Sequence, residues 1–182
     1  MASSRRPKRV RVRRTPPPTL TAEQIDRIIA TANAEPRLHP TGALVRFLSE
    51  TGLRFSELCR LRTDNVDINN RRLFVPGRDT EGRYIPLTPC ALNALQSLHE
   101  DFFGSTFVLG DKAEFVLRRV SRSFRHIAAQ VGVAGCGLHS LRRLYVKRLV
   151  AGGIDPMLVA RLIGNQHPRL TVLRYLRAAG DL

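Results

Sequence analysis

Four residues in this chain carry side chains that can act together on a phosphodiester. They are Arg54 in TGLRFSELCRL, His139 and Arg142 in GLHSLRRL, and Tyr175 in LTVLRYL. An arginine fork binds two phosphate oxygens and keeps its charge at any biological pH. A histidine moves protons near neutrality. A tyrosine oxygen can attack phosphorus and hold the product as a covalent link, which conserves the bond energy for rejoining. Its free pKa of about 10 calls for help in ionising, which two arginines and a general base would supply. His139 and Arg142 stand three residues apart, so both face one side of a helix start. The plainer reading of HSLRR is a basic helix touching a polyanion, and the plainer reading of Arg54 is an ion pair with Glu57. Tyr84 and Tyr145 are the competing tyrosines. Tyr84 lies in a strand pattern and Tyr145 in an apolar helix stripe with Leu141, Leu144 and Leu149, so both read as packing residues.

The elements that must position these groups are mostly helices. Thr21 and Gln24 form a capping box before Ile25, Ile28 and Ile29 at helical spacing. A second helix is expected over about Thr41–Glu50, stopping at Gly52, and a third over about Ser56–Leu61. The period then changes to two. VDI, RRLFVPG and RYIPL read as three short antiparallel strands, the first two joined at Asn69-Asn70. Further helices are expected from Pro89 to about Glu100, over Ala113–Val131, over Ser140–Ala151 ahead of Gly152-Gly153, and from Pro156 behind an Asp155 cap. A last helix holds Tyr175. The expected fold class is mainly α with a small antiparallel three-stranded β-meander (α+β).

Composition bounds the partners. With 182 residues and 43% hydrophobic content, the chain supports one domain with a core. Lys and Arg number 30 against 15 Asp and Glu, a formal net charge of +15. Residues 1–14 hold seven cations (Arg5, Arg6, Lys8, Arg9, Arg11, Arg13 and Arg14) and no acid. The rest still carries 23 basic residues against 15 acidic, so the balance is not a tail effect alone. This points to a polyanion partner whose phosphates supply much of the affinity. The run Thr15-Pro16-Pro17-Pro18-Thr19 closes the arm and stiffens its junction. The expected organisation is a disordered basic arm over 1–19 and a single domain over 20–182. No apolar run approaches a membrane span and no export signal opens the chain, so a cytoplasmic protein is expected. Cys59, Cys90 and Cys136 lie far apart without paired spacing and read as reduced, buried, small apolar thiols. No CxxC pair, HExxH or carboxylate cluster suggests a metal site, and no glycine-rich nucleotide loop appears, so no cofactor is expected.

The order Arg54, His139–Arg142, Tyr175 resembles the catalytic domain of the tyrosine recombinases, the phage integrase family. The resemblance runs from about Leu20 to Leu176. It implies site-specific cleavage and rejoining of double-stranded DNA through a 3′-phosphotyrosyl intermediate on Tyr175, without metal. It implies protomers that self-associate on DNA as dimers or tetramers. Arg54 and Arg142 would neutralise the phosphate, His139 would shuttle protons, Glu57 would steady Arg54, and Arg143 with the arm would contact DNA. The chain departs from the family at two positions. Arg78 stands in the meander turn where a lysine usually protonates the leaving oxygen; an arginine can hold that oxygen but is a poor acid. In LIGNQHPRL, Asn165 follows the glycine where the family usually has histidine, and His167 comes two residues later. Asn165 fits the sequence frame and His167 fits the chemistry. The chain resembles short members that lack the N-terminal core-binding domain. The alternative reading is a catalytically weakened integrase-fold DNA-binding protein, a regulator or mobile-element remnant.

Overall fold

The first helix starts where its own side chains dictate. In the computed structural model, which describes residues 20–77, 81–101 and 104–165, Thr21 Oγ1 accepts from the Gln24 N–H at 3.3 Å and Gln24 Oε1 accepts from the Thr21 N–H at 2.9 Å. Both halves of the capping box are therefore made, and α1 runs over Ala22–Ala34 with Ile25 and Ile28 buried. Helix α2, Thr41–Thr51, is the central element. It packs against α1 and against the later helices Pro89–Asp101, Ala113–Gln130 and His139–Ala151, and is buried along most of its length through Leu44, Val45, Phe47 and Leu48. A helix apolar on more than one face must sit inside the domain.

Helix α2 stops at Gly52, which adopts φ +62° and donates its N–H to the Leu48 carbonyl. Helix α3 is shorter than its sequence pattern suggests, Phe55–Leu58 rather than Ser56–Leu61. The reason is a competing pairing. The Leu61 carbonyl accepts from Val108 N at 2.9 Å, Thr63 N donates to the Thr106 carbonyl at 3.0 Å, and Arg62 bridges Phe107. Those bonds draw the chain out of the helix.

The three strands form one antiparallel sheet in the order β1 (Val66–Asp67), β2 (Arg72–Val75), β3 (Arg83–Pro86). Leu73 pairs with Ile85, Phe74 with Tyr84 and Val75 with Arg83. The period of two puts Leu73, Val75 and Ile85 on the core face. Arg83, two residues from Ile85, shares that inward face. Tyr84 packs on the outer face, its ring 5.1 Å from Phe74 and 4.7 Å beneath the Arg72 guanidinium.

The remaining described helices are α4 (Pro89–Asp101), α5 (Ala113–Gln130), α6 (His139–Ala151) and α7 (Pro156–Leu162). Asp155 caps α7 by accepting from the Met157 N–H at 2.8 Å. Helices α6 and α7 share a small core of Tyr145, Val146, Val159 and Ile163. Of the cysteines, Cys136 is buried as expected, Cys59 is half-buried and Cys90 is exposed. Cys90 falls off the face of α4 that buries Ala91, Ala94 and Leu98. The mainly α fold with a three-stranded antiparallel meander is as the sequence predicts. Arg78, His167, Tyr175 with its helix, and the arm cations Arg5, Arg6, Lys8, Arg9, Arg11, Arg13 and Arg14 lie outside the described residues. Among the described residues, no helix is long and apolar enough to cross a membrane.

Candidate active site

Arg54 sits at the N-cap of α3, two residues beyond the left-handed turn at Gly52. Glu57, at the third position of that short helix, reaches back. Its Oε2 accepts from the Arg54 backbone N–H at 2.8 Å and its Oε1 accepts from Arg54 Nη1 at 2.8 Å. One carboxylate thus caps the helix and bonds the guanidinium.

A second arginine, which sequence reasoning overlooked, completes the carboxylate. Arg83 forks onto Glu57 from β3, Nη1 to Oε1 at 3.0 Å and Nη2 to Oε2 at 2.9 Å. Burial by itself would push the Glu57 carboxyl up. The Arg83 fork, the Arg54 N–H and the Arg54 guanidinium outweigh it and bring the pKa down to about 2. The signal for Arg83 was available. In Arg83-Tyr84-Ile85-Pro86-Leu87 the odd positions face inward, and a charged residue there requires a buried partner.

The end of α7 explains why three arginines gather. Gly164, at φ +64°, closes the helix, with Gly164 N donating to the Arg161 carbonyl at 2.9 Å and Asn165 N to the Ala160 carbonyl at 3.0 Å. This Schellman arrangement satisfies two carbonyls and leaves the last ones open. Arg83 Nε donates to Leu162 O at 2.7 Å, Arg142 Nη2 to Ile163 O, and Arg54 Nη2 to Gly164 O at 2.7 Å. Three consecutive carbonyls, at the negative end of a helix, each receive a guanidinium. Asn165, one of the two candidates in LIGNQHPRL, follows directly in the chain. His167 lies beyond the described residues.

Arg142 lies on the buried face of α6 and is only 5% exposed. Its Nη1 also donates to Gly52 O at 2.7 Å, so it ties the end of α2 to the end of α7. His139 opens α6 and keeps an exposed face. Partial burial, then the charges of Arg142, Arg143 and Arg54, hold its imidazole below the ordinary value. That shift favours the neutral imidazole, the form that can accept a proton. Arg143 donates to Ser140 Oγ at 2.9 Å, and its buried Nε has no hydrogen-bond partner among the described residues. Arg54, Glu57, His139 and Arg142 thus come together, with Arg143 on the adjoining turn. Tyr145 is a core residue, 7% exposed, and burial pushes its phenol up, as its apolar stripe implied.

The chain matches the model of the phage integrase family over residues 18–180. It is 31% identical over 172 residues to tyrosine recombinase XerD of Rhizobium meliloti (strain 1021), covering 84% of this chain and 54% of the relative. The chain therefore spans about half the length of that relative. Among solved structures, it resembles the Tn1549 transposon integrase in complex with transposon right end DNA, at TM-score 0.74 and 18% identity, covering 91% of this chain and 63% of the other. It also resembles the lambda integrase tetramer bound to a Holliday junction, at TM-score 0.65 and 21% identity, covering 87% and 48%. These likenesses agree in fold with the meander and helices described above. The chain belongs to the phage integrase family.

Proposed function

We propose that the protein is a site-specific DNA recombinase or integrase that cleaves and rejoins double-stranded DNA through a 3′-phosphotyrosyl intermediate on Tyr175, without metal. The observation that carries this reading is the meeting of Arg54 and Arg142 at adjacent carbonyls of the α7 end, with His139 on the same turn as Arg142. Two fixed cations beside a neutral imidazole suit a phosphate that gains charge as it is attacked. The roles follow from the chemistry. Tyr175 attacks phosphorus and the 5′ oxygen leaves. Arg54 and Arg142 stabilise the charge on the non-bridging oxygens. His139 moves the proton, and Asn165 or His167 adds a hydrogen bond to the phosphate. Arg78 holds the leaving oxygen by charge, and Arg143 contacts the DNA backbone. Residues 20–182 act as one catalytic domain. Residues 1–19 lie along the duplex as a basic arm, and protomers associate on DNA in the cytoplasm as dimers or tetramers. The lambda integrase tetramer bound to a Holliday junction supports this assembly by analogy.

The test is incubation with a nicked suicide duplex and a denaturing gel. The wild-type protein is expected to form a covalent adduct, in EDTA as well as in Mg²⁺. Tyr175→Phe should bind the same DNA and form none. An adduct mapping to Tyr84 or Tyr145, or one abolished by EDTA and rescued by Mg²⁺, overturns the assignment. Arg78, in place of the usual lysine, favours a second reading as a DNA-binding protein with weakened chemistry. That reading predicts binding without adduct.

A further inference from the structure

Arg83 has no role in the reading above, yet it is more constrained than Arg54. Its side chain is 14% exposed, against 38% for Arg54. All three of its nitrogens donate within the protein, Nε to Leu162 O and the two Nη atoms to Glu57. It reaches the site from β3, whereas the groups it touches come from α3 and the end of α7. A Cβ built on Gly164 would stand 2.5 Å from Arg83 Nη1 and 2.7 Å from its Cζ. That is well inside van der Waals contact, so the glycine is what lets the guanidinium lie against the helix end. Arg54 depends on the same two supports, since its Nη1 bonds Glu57 and its Nη2 bonds Gly164 O.

We propose that Arg83 is a positioning residue for the phosphate-binding arginines. It fixes the Glu57 carboxylate and the α7 end, the two surfaces that aim Arg54. The proposal rests on the recombinase reading only for its kinetic consequence. Arg83 is assigned no DNA contact: each of its three nitrogens already donates to Glu57 or the Leu162 carbonyl. A guanidinium is required there. Lysine can neutralise Glu57, but it cannot fork onto both oxygens and reach the Leu162 carbonyl at once.

The test compares wild type with Arg83→Gln, Arg83→Lys and Gly164→Ala in single-turnover adduct formation at saturating suicide duplex. DNA affinity is titrated separately. A displaced phosphate-binding group costs about 10²-fold when it shifts by roughly 1 Å. Arg83→Gln is therefore expected to slow adduct formation by about that factor, with affinity changed less than about twofold. Arg83→Lys should recover part of the rate. Gly164→Ala, which leaves Arg83 in the sequence but crowds its guanidinium, should reproduce the defect. It also serves if Arg83→Gln fails to fold. In parallel, the Glu57 carboxyl is titrated by ¹³C NMR without DNA. Its pKa should rise in Arg83→Gln and return most of the way in Arg83→Lys. An unchanged rate at saturating DNA with weakened affinity would make Arg83 a DNA contact and overturn the proposal, as would an unmoved Glu57 titration. A wild-type protein that forms no adduct defeats the recombinase reading instead, and the NMR titration then decides Arg83 by itself.

Discussion

Glu57 shows how much one side chain at this site carries. Its carboxylate accepts four donors, two from Arg54 and two from Arg83, while it is nearly out of solvent. Removing one partner of such a cluster leaves uncompensated buried charge, which is strongly destabilising. The folded pKa of about 2 lies below the ordinary 4.5. A depressed carboxyl pKa contributes stability that is fully present above about 4.5 and is lost as pH falls toward 2, about 3 kcal/mol in all. Urea unfolding of wild type and Glu57→Gln at several pH values checks this. The wild type should be the more stable at pH 7, and the gap should close between about pH 4.5 and 2. Curves that stay parallel would show that Glu57 is not held ionised by its arginines. At this scale the grouping of Arg54, Glu57, His139 and Arg142 was legible, because their residue types and spacing suit a single site. The inward position of Arg83 was legible in the strand alternation but its partners were not, because they come from elements 26 and 79 residues away in sequence.

Helix ends, rather than helix interiors, build the site. Arg54 follows the end of α2, His139 begins α6, and the α7 end gathers three guanidiniums. Gly52 is the junction between them. It takes φ +62°, a Cβ on it would stand 2.4 Å from the Tyr145 ring, and its carbonyl accepts from Arg142. Gly52→Ala therefore meets left-handed strain, a clash with a core ring, and a displaced acceptor for a buried cation. Each is a recognised mechanism of destabilisation, and overpacking alone typically costs about 1–3 kcal/mol. Thermal unfolding should show a loss of at least that size. A Tm unchanged from wild type would mean that the turn can relax without moving Tyr145. The sequence pattern located this boundary, and it located the starts and stops of most helices, because Gly, Pro and capping residues act locally. It overran α3 and the first strand for the complementary reason. Pairing of residues 61–63 with 106–108, and bonds from Asn70 and Arg72 to Asp67, are decided by distant or side-chain partners that periodicity does not register.

For the whole molecule, charge is the dominant property. At least seven of the fifteen acidic residues are engaged by arginines within the domain: Asp26, Glu35, Glu50, Glu57, Asp64, Asp67 and Glu114. The acids thus serve the fold locally, and the chain keeps a net charge of +15. Nearly half of that surplus lies in residues 1–14, where seven cations stand with no acidic neighbour in sequence. Such a segment has no charge of its own to fold against, and attraction to a phosphate backbone is independent of base sequence. If the arm lies on the duplex, deleting residues 1–14 should weaken binding to specific and random DNA by the same factor. The slope of log K against log salt should become shallower by up to ~0.9 for each phosphate that the arm neutralises, because each neutralised phosphate releases condensed counterions. Fluorescence anisotropy titrations of the full chain and the deletion at four or five salt concentrations measure both quantities. Adduct formation at saturating DNA should be nearly unaffected, since none of the groups assigned to the chemistry is removed. An unchanged salt slope would place the arm away from DNA, and a weakening confined to one sequence would make it a reader of bases.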